Sequence, residues 1–140
     1  MNSPSEDIKD ILELAAVDSS SGIIPDLTFG TNLFIGILPD SPDLCVCVKD
    51  TSGSSPETHS TNPLEYPTLQ ILVRGTVSGY KAAYRSSKCI LELLRAKTNF
   101  NQGGTKYHHM HPVSDVGFIG SDGKNRPVFS MNFEIMRSDA

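Results

Sequence analysis

Apolar residues recur along this chain in two rhythms, one near 3.6 residues and one of two. The first 3.6-residue stretch is near the start. Ile8, Ile11, Leu12 and Ala15 share one stripe, and Glu6, Asp10 and Glu13 lie opposite. Ser3 is placed to cap this helix, Pro4 suits its first position, and Glu6 three residues on completes a capping box. The pattern stops at the polar run 18–22. A connection over 23–31 follows, with Pro25-Asp26 and Gly30 as its turn formers. The second 3.6-residue stretch is the clearest amphipathic helix. Tyr80, Ala83, Tyr84, Ser87, Ile90, Leu91 and Leu94 form one face, with Lys81, Arg85, Lys88, Glu92 and Arg95 on another. Ser78 is its expected cap, and it ends near Lys97 before Gly103-Gly104.

The period-two segments read as strands. Leu33–Leu38 is apolar and stops at Pro39-Asp40. After the breaker-rich turn 39–43, Leu44, Val46 and Val48 alternate with Cys45 and Cys47, which predicts a hairpin. Residues 50–63 contain no apolar side chain and predict a long polar loop, with a function of its own or none. Thr68–Gly75 reads as a strand with Leu69, Ile71 and Val73 on one face. Thr105–His111 alternates so that Tyr107, His109 and His111 share a side. Val116–Ile119 is apolar, and residues 121–125 form a hairpin turn. Val128–Arg137 alternates most cleanly, with Phe129, Met131, Phe133 and Ile135 inward. Its length predicts an edge that a neighbouring subunit would have to cover. The order helix, strands, helix, strands predicts an α+β fold: one mostly antiparallel sheet carrying an N-terminal and a central helix, in a single domain over 1–140.

Charge narrows the function classes. Twelve Lys and Arg against sixteen Asp and Glu give a net charge of −4, which argues against nucleic acid as the main partner, because phosphate binding needs a basic footprint. No apolar run approaches the length of a membrane span, and the acidic start MNSPSEDIKD is no secretory signal. The three cysteines then read as free thiols in a reducing compartment. Cys45 and Cys47 are too far apart along a strand for an unstrained disulfide, and small apolar packing is the better reading.

Candidate chemistry is sparse. His109 and His111 could share a metal, with a third ligand from His59 or a cysteine, but no ligand-spaced partner motif accompanies them. A nucleophile elbow, a P-loop and a dinucleotide fingerprint are all absent. Gly75-Thr76-Val77-Ser78-Gly79 lacks the P-loop lysine and reads as a tight turn. What remains is charge patterning. One helix presents Glu6, Asp10 and Glu13, the other Lys81, Arg85, Lys88 and Arg95. The two faces are either solvated or meet across a subunit boundary.

Three stretches carry a resemblance: Gln70-Ile71-Leu72-Val73-Arg74-Gly75, then Tyr80-Lys81-Ala82-Ala83-Tyr84, then Ile90-Leu91-Glu92-Leu93-Leu94. Together with the final strand Pro127–Arg137, they resemble the tail terminator proteins of long-tailed bacteriophages. The pattern is a strand ending in arginine, a short turn, and a helix with spaced tyrosines. The resemblance implies a non-enzymatic virion protein without metal or cofactor. It implies a homo-oligomer, a six-membered ring that caps the tail tube protein and offers a surface to the head-completion (connector) protein. The expected location is the head-proximal end of the virion tail, reached from the host cytoplasm during assembly. The alternatives are a small metal-binding β-rich protein using His109 and His111, and another head-completion or tail-tube component.

Overall fold

The computed structural model describes residues 1–17, 27–58 and 61–140; the polar run 18–22, the first part of the 23–31 connection and His59 lie outside them. The architecture is α+β. Helix α1 spans Pro4–Ala16 and α2 spans Tyr80–Arg95. The strands are β1 (Leu33–Ile35), β2 (Cys45–Ser54), β3 (Tyr66–Arg74), β4 (Thr98–Gln102), β5 (Thr105–Pro112), β6 (Gly117–Ser121) and β7 (Pro127–Asp139). They form one sheet in the order β1-β2-β3-β7-β5-β4, with β6 also paired to β7, and every pairing except β1 with β2 is antiparallel.

Helix α1 forms as its local sequence dictates. Ser3 Oγ accepts from the Glu6 amide, and the Ser3 amide donates to Glu6 Oε2 at 2.8 Å, closing the capping box. Asp50 of β2 adds a carboxylate at the same end, accepting from the Ser5 amide at 3.0 Å, where the helix dipole favours negative charge. Helix α2 has no side-chain cap; its N-cap is Gly79 rather than Ser78. The turn before it is tight, as its glycines suggest. A Cβ on Gly75 would stand 2.8 Å from that of Ala83, and one on Gly79 would stand 2.5 Å from Thr76 Oγ1.

Both helices pack on one face of the sheet. Ile8, Ile11 and Leu12 of α1, and Ile90, Leu91 and Leu94 of α2, join Val46, Val48, Leu69, Ile71, Val73, Met131, Phe133 and Ile135 in one core. The inward set read from β7 is therefore correct. Its placement is not. Strand β7 is the centre of the sheet, with β3 along residues 128–134 on one side. On the other side lie β6 along 127–130 and β5 along 133–139. Among the described residues the outermost strands, β1, β4 and β6, are short instead, which is the usual defence against edge pairing.

Three further expectations are corrected. β1 and β2 form no hairpin: Leu33 pairs with Val46 and Ile35 with Val48 in parallel. The 39–43 turn is part of a crossover on the sheet's other face, where Leu38 packs on Cys47, Leu72 and Val128. The polar loop is shorter than 50–63, because β2 continues to Ser54 and pairs Thr51 with Thr68 and Ser54 with Tyr66. A polar segment can hold a strand there because this ribbon is exposed along β2. Finally, β4 was invisible in the sequence: Thr98–Gln102 is a largely exposed edge strand with little apolar alternation.

Candidate assembly surfaces

Three features outside the core could carry function: the histidine strand, a polar clamp around the crossover, and the outward surfaces of the helices.

A β-bulge between Tyr107 and His109 resets the alternation of β5. Tyr107 and Met110 both turn inward, so Tyr107 does not share a face with His109 and His111 as its spacing predicts. The Tyr107 hydroxyl donates to Asp7, a fully buried carboxylate on α1 that also accepts from Asn2 Nδ2 at 3.1 Å. Burial, reinforced by that carboxylate, pushes the Tyr107 phenol well above its ordinary range. Arg137 extends the network, donating to the Asn2 carbonyl at 2.8 Å and to Glu65 at 3.0 Å. These groups tie the N-terminus to the last strand. His109 lines a cleft with Ser54, Tyr66, Thr68, Glu134 and Ile135, and His111 is the register partner of Glu134. His108 instead meets Ser138 Oγ at 3.1 Å. Among the described residues, no group of three or more His, Cys, Asp or Glu is arranged to hold a metal ion. Cys45 and Cys47 are free and buried, and burial raises both thiols above their usual range.

The clamp is built on two buried arginines. Arg74 donates to the carbonyls of Pro42 and Asp43 at 2.7 and 3.0 Å. Arg126 binds three aspartates: Asp122 at 2.7 Å, Asp43 at 2.9 Å and Asp40 at 3.1 Å. It also donates to the Asp40 carbonyl at 2.6 Å. The guanidinium and the backbone amides of Lys124 and Arg126 hold the Asp122 carboxyl far down, at about 2. Lys124 at 2.6 Å holds Asp40 below the ordinary carboxylate range, helped by Arg126. The clamp fixes the crossover; all three guanidinium nitrogens of Arg126 have protein acceptors. Its sequence signal was present but dispersed: Asp40 and Asp43 in one turn, Asp122 in another, and an arginine at the end of each adjoining strand.

The outward helix faces lie where the periodicity predicts, with part of their charge already neutralised. Glu6 is engaged in the capping box. Asp10 and Glu13 share Lys9, at 2.8 and 4.0 Å. Lys88 pairs with Asp115 at 2.7 Å. Asp115 is held below its ordinary range, mainly by that lysine and more weakly by Arg95. Lys81 and Arg85 are exposed, and among the described residues neither forms an ion pair. The structure thus brings Lys88 and Arg95 together around Asp115 and leaves Lys81 and Arg85 as free positive charge. It does not bring the α1 carboxylates to the α2 cations within one chain.

Periodicity assigned Tyr80 and Tyr84 to the buried side of α2, yet both rings remain substantially exposed. They lean on buried Phe129 with centroids 5.0 and 5.8 Å away, and exposed Phe118 of β6 completes the group at 5.5 Å. No helix among the described residues is long and apolar enough to cross a membrane. A family model described as bacteriophage tail terminator protein matches residues 15–138. No curated protein matches the sequence.

Proposed function

The chain belongs to the bacteriophage tail terminator family, and from that premise we propose that it is a structural, non-enzymatic virion protein closing the tail tube as a ring. In this reading six copies, each one domain over residues 1–140, sit on the last ring of tail tube protein and stop its growth. Their far surface receives the head-completion (connector) protein. The protein then resides at the head-proximal end of the tail, having assembled in the host cytoplasm. The family match over residues 15–138 carries the reading. The fold is compatible with it: a sheet whose short outer strands β4 and β6 have unpaired sides among the described residues, and apolar side chains left at the surface. We further propose that one or both charged helix faces lie near a subunit boundary: Glu6, Asp10 and Glu13 on α1, and Lys81, Arg85, Lys88 and Arg95 on α2. Rim charges of this kind are worth about 0–1 kcal/mol each, so they would set register and association rate more than affinity.

The test is genetic and microscopic. Phage carrying a nonsense codon early in this gene, grown without a suppressor, should accumulate tail tubes of uncontrolled length that join no heads. Tubes of normal length would remove the termination role, and normal-length tubes joined to heads would remove the function altogether.

A further inference from the structure

We propose that the open side of β6, with the aromatic group and the cationic stripe of α2 beside it, receives an extended acidic segment of a different protein. That segment joins the sheet as an added strand, sets an apolar side chain against the rings and places carboxylates within reach of Lys81 and Arg85. The inference stands apart from the terminator reading.

The sheet topology supplies the opening. Strands β5 and β6 lie end to end on one side of β7, β5 along 133–139 and β6 along 127–130. Strand β4 covers the outer side of β5 from Thr105 to His109. No described strand continues that outer row past β6, which pairs only with β7. The sequence of β6, Gly-Phe-Ile-Gly-Ser, carries none of the lysine, proline or acidic residues that usually blunt an edge. The strand is short, and Ile119 is the extra residue of a bulge between Phe118 and Gly120. Backbone pairing alone is therefore weak there, and neighbouring side chains must supply the rest of the recognition.

Those side chains are in place. Tyr80 is 53% exposed, Phe118 48% and Tyr84 39%. All three rings nevertheless rest against buried Phe129, and Tyr80 also meets Phe118 edge-on at 5.3 Å. Little conformational freedom remains for binding to remove. The bulge residue Ile119 is exposed as well. Apolar side chains gathered in this way mark a contact surface, whereas scattered single ones need no explanation.

The charge beside them is positive. Lys88 binds Asp115, in the connection between β5 and β6, at 2.7 Å, which sets this stripe of α2 over the outer side of the sheet. Lys81 lies seven residues before Lys88, about two turns along the same stripe, with Arg85 between them. Four cations, Lys81, Arg85, Lys88 and Arg95, face two carboxylates, Glu92 and Asp115, so positive charge is in excess. Lys81 and Arg85 have no ion pair among the described residues. Asp122, beyond the other end of β6, is held by Arg126.

A second copy of this chain has no matching strand to offer. The other outermost strands are β1, Leu-Phe-Ile, and β4, Thr-Asn-Phe-Asn-Gln, and neither carries a carboxylate. Two copies of β6 paired about a two-fold axis would set Lys81 and Arg85 against their own copies. An acidic strand from a different protein answers the open backbone, the rings and the charge together.

The probe is a capped peptide, Glu-Glu-Val-Val-Glu-Glu, titrated into the full chain. Each face of this peptide, when extended, reads Glu-Val-Glu, so either face can meet α2. It should bind saturably with a Kd below about 1 mM, and hydrogen exchange should slow within residues 117–121. The same peptide N-methylated at both valines keeps its side chains but loses backbone donors, and it should bind at least tenfold more weakly. So should Lys-Lys-Val-Val-Lys-Lys. A chain carrying Lys81→Glu and Arg85→Glu, both at exposed positions, should reverse the preference and take the lysine peptide instead, which also shows that it is folded. The proposal is overturned if the acidic peptide does not saturate, if N-methylation changes nothing, if the double variant keeps the wild-type preference, or if protection falls outside 117–121. A wild-type oligomer in sedimentation that the acidic peptide dissociates would overturn it too, by giving the groove to a second copy. None of these readouts involves tail length in the phage, which judges the terminator reading separately.

Discussion

The two faces of the sheet are held by different physics. The face under the helices is dry and aliphatic or aromatic: Phe133, Met131, Ile71, Ile8 and Leu12 are fully buried. The opposite face has only a small apolar cluster of Cys47, Leu72 and Val128 with Leu38, and the crossover above it is pinned by Arg74 and Arg126. Burial is non-directional and tolerates neither voids nor polar atoms. Charge-assisted hydrogen bonds are directional and fix one loop path, but their net contribution is smaller because water competes for the same groups. One face supplies stability; the other selects the route by which β1 returns to lie parallel to β2.

Three substitutions probe that contrast in order of expected size. Phe133→Ala on the dry face should cost about 3–5 kcal/mol in chemical denaturation, the usual range for removing a buried ring. A loss below about 1 kcal/mol would show that the helix-covered face is not the source of stability. Arg74→Leu on the clamped face leaves the Pro42 and Asp43 carbonyls without their donor. It should cost roughly 1.5–3 kcal/mol, and limited proteolysis should cut within residues 36–43 sooner than in wild type. Equal protection of that segment would mean that the arginine does not hold the crossover. The smallest effect is in acid. Asp122 has a folded-state carboxyl at about 2, depressed chiefly by Arg126, against an ordinary value near 4. Its contribution is complete above about pH 4 and disappears as the pH falls through about 2. Asp122→Asn should flatten the stability profile in that window and leave the slope at higher pH unchanged. An unaltered acid limb would assign the acid sensitivity to other carboxylates.

The dry face was largely legible in the sequence because its signals are local and repeated. Ser3, Pro4 and Glu6 specify the start of α1 within four residues, and the alternation from Phe129 to Ile135 needs no partner to be read. The clamped face was not legible, because its meaning lies in pairs more than thirty residues apart, such as Arg74 with Pro42 or Arg126 with Asp40. Breakers at 39–43 look the same whether they turn a hairpin or line a crossover. The bulge in β5 is equally silent: one extra residue at His108 sends Met110 inward and reverses every assignment after it. Among the candidate surfaces, the charged faces were visible from spacing alone. The aromatic group was not, since helical period cannot tell a ring that enters the core from one that rests on its rim.

The central position of β7 also sets an order of events in time. Strands β3, β5 and β6 all pair with it, and it follows every one of them in sequence. While the polypeptide is still being made, β3 has only β2, β5 has only β4, and β6 has no partner among the described strands. The helices can form early, but the face they would cover is incomplete until residues 127–139 arrive. Such a topology closes late and all at once, with most of its contacts between distant parts of the chain. A subunit that cannot complete its sheet before residues 127–139 are made also cannot present a finished surface before then, so shorter nascent chains are kept out of any assembly the finished protein joins.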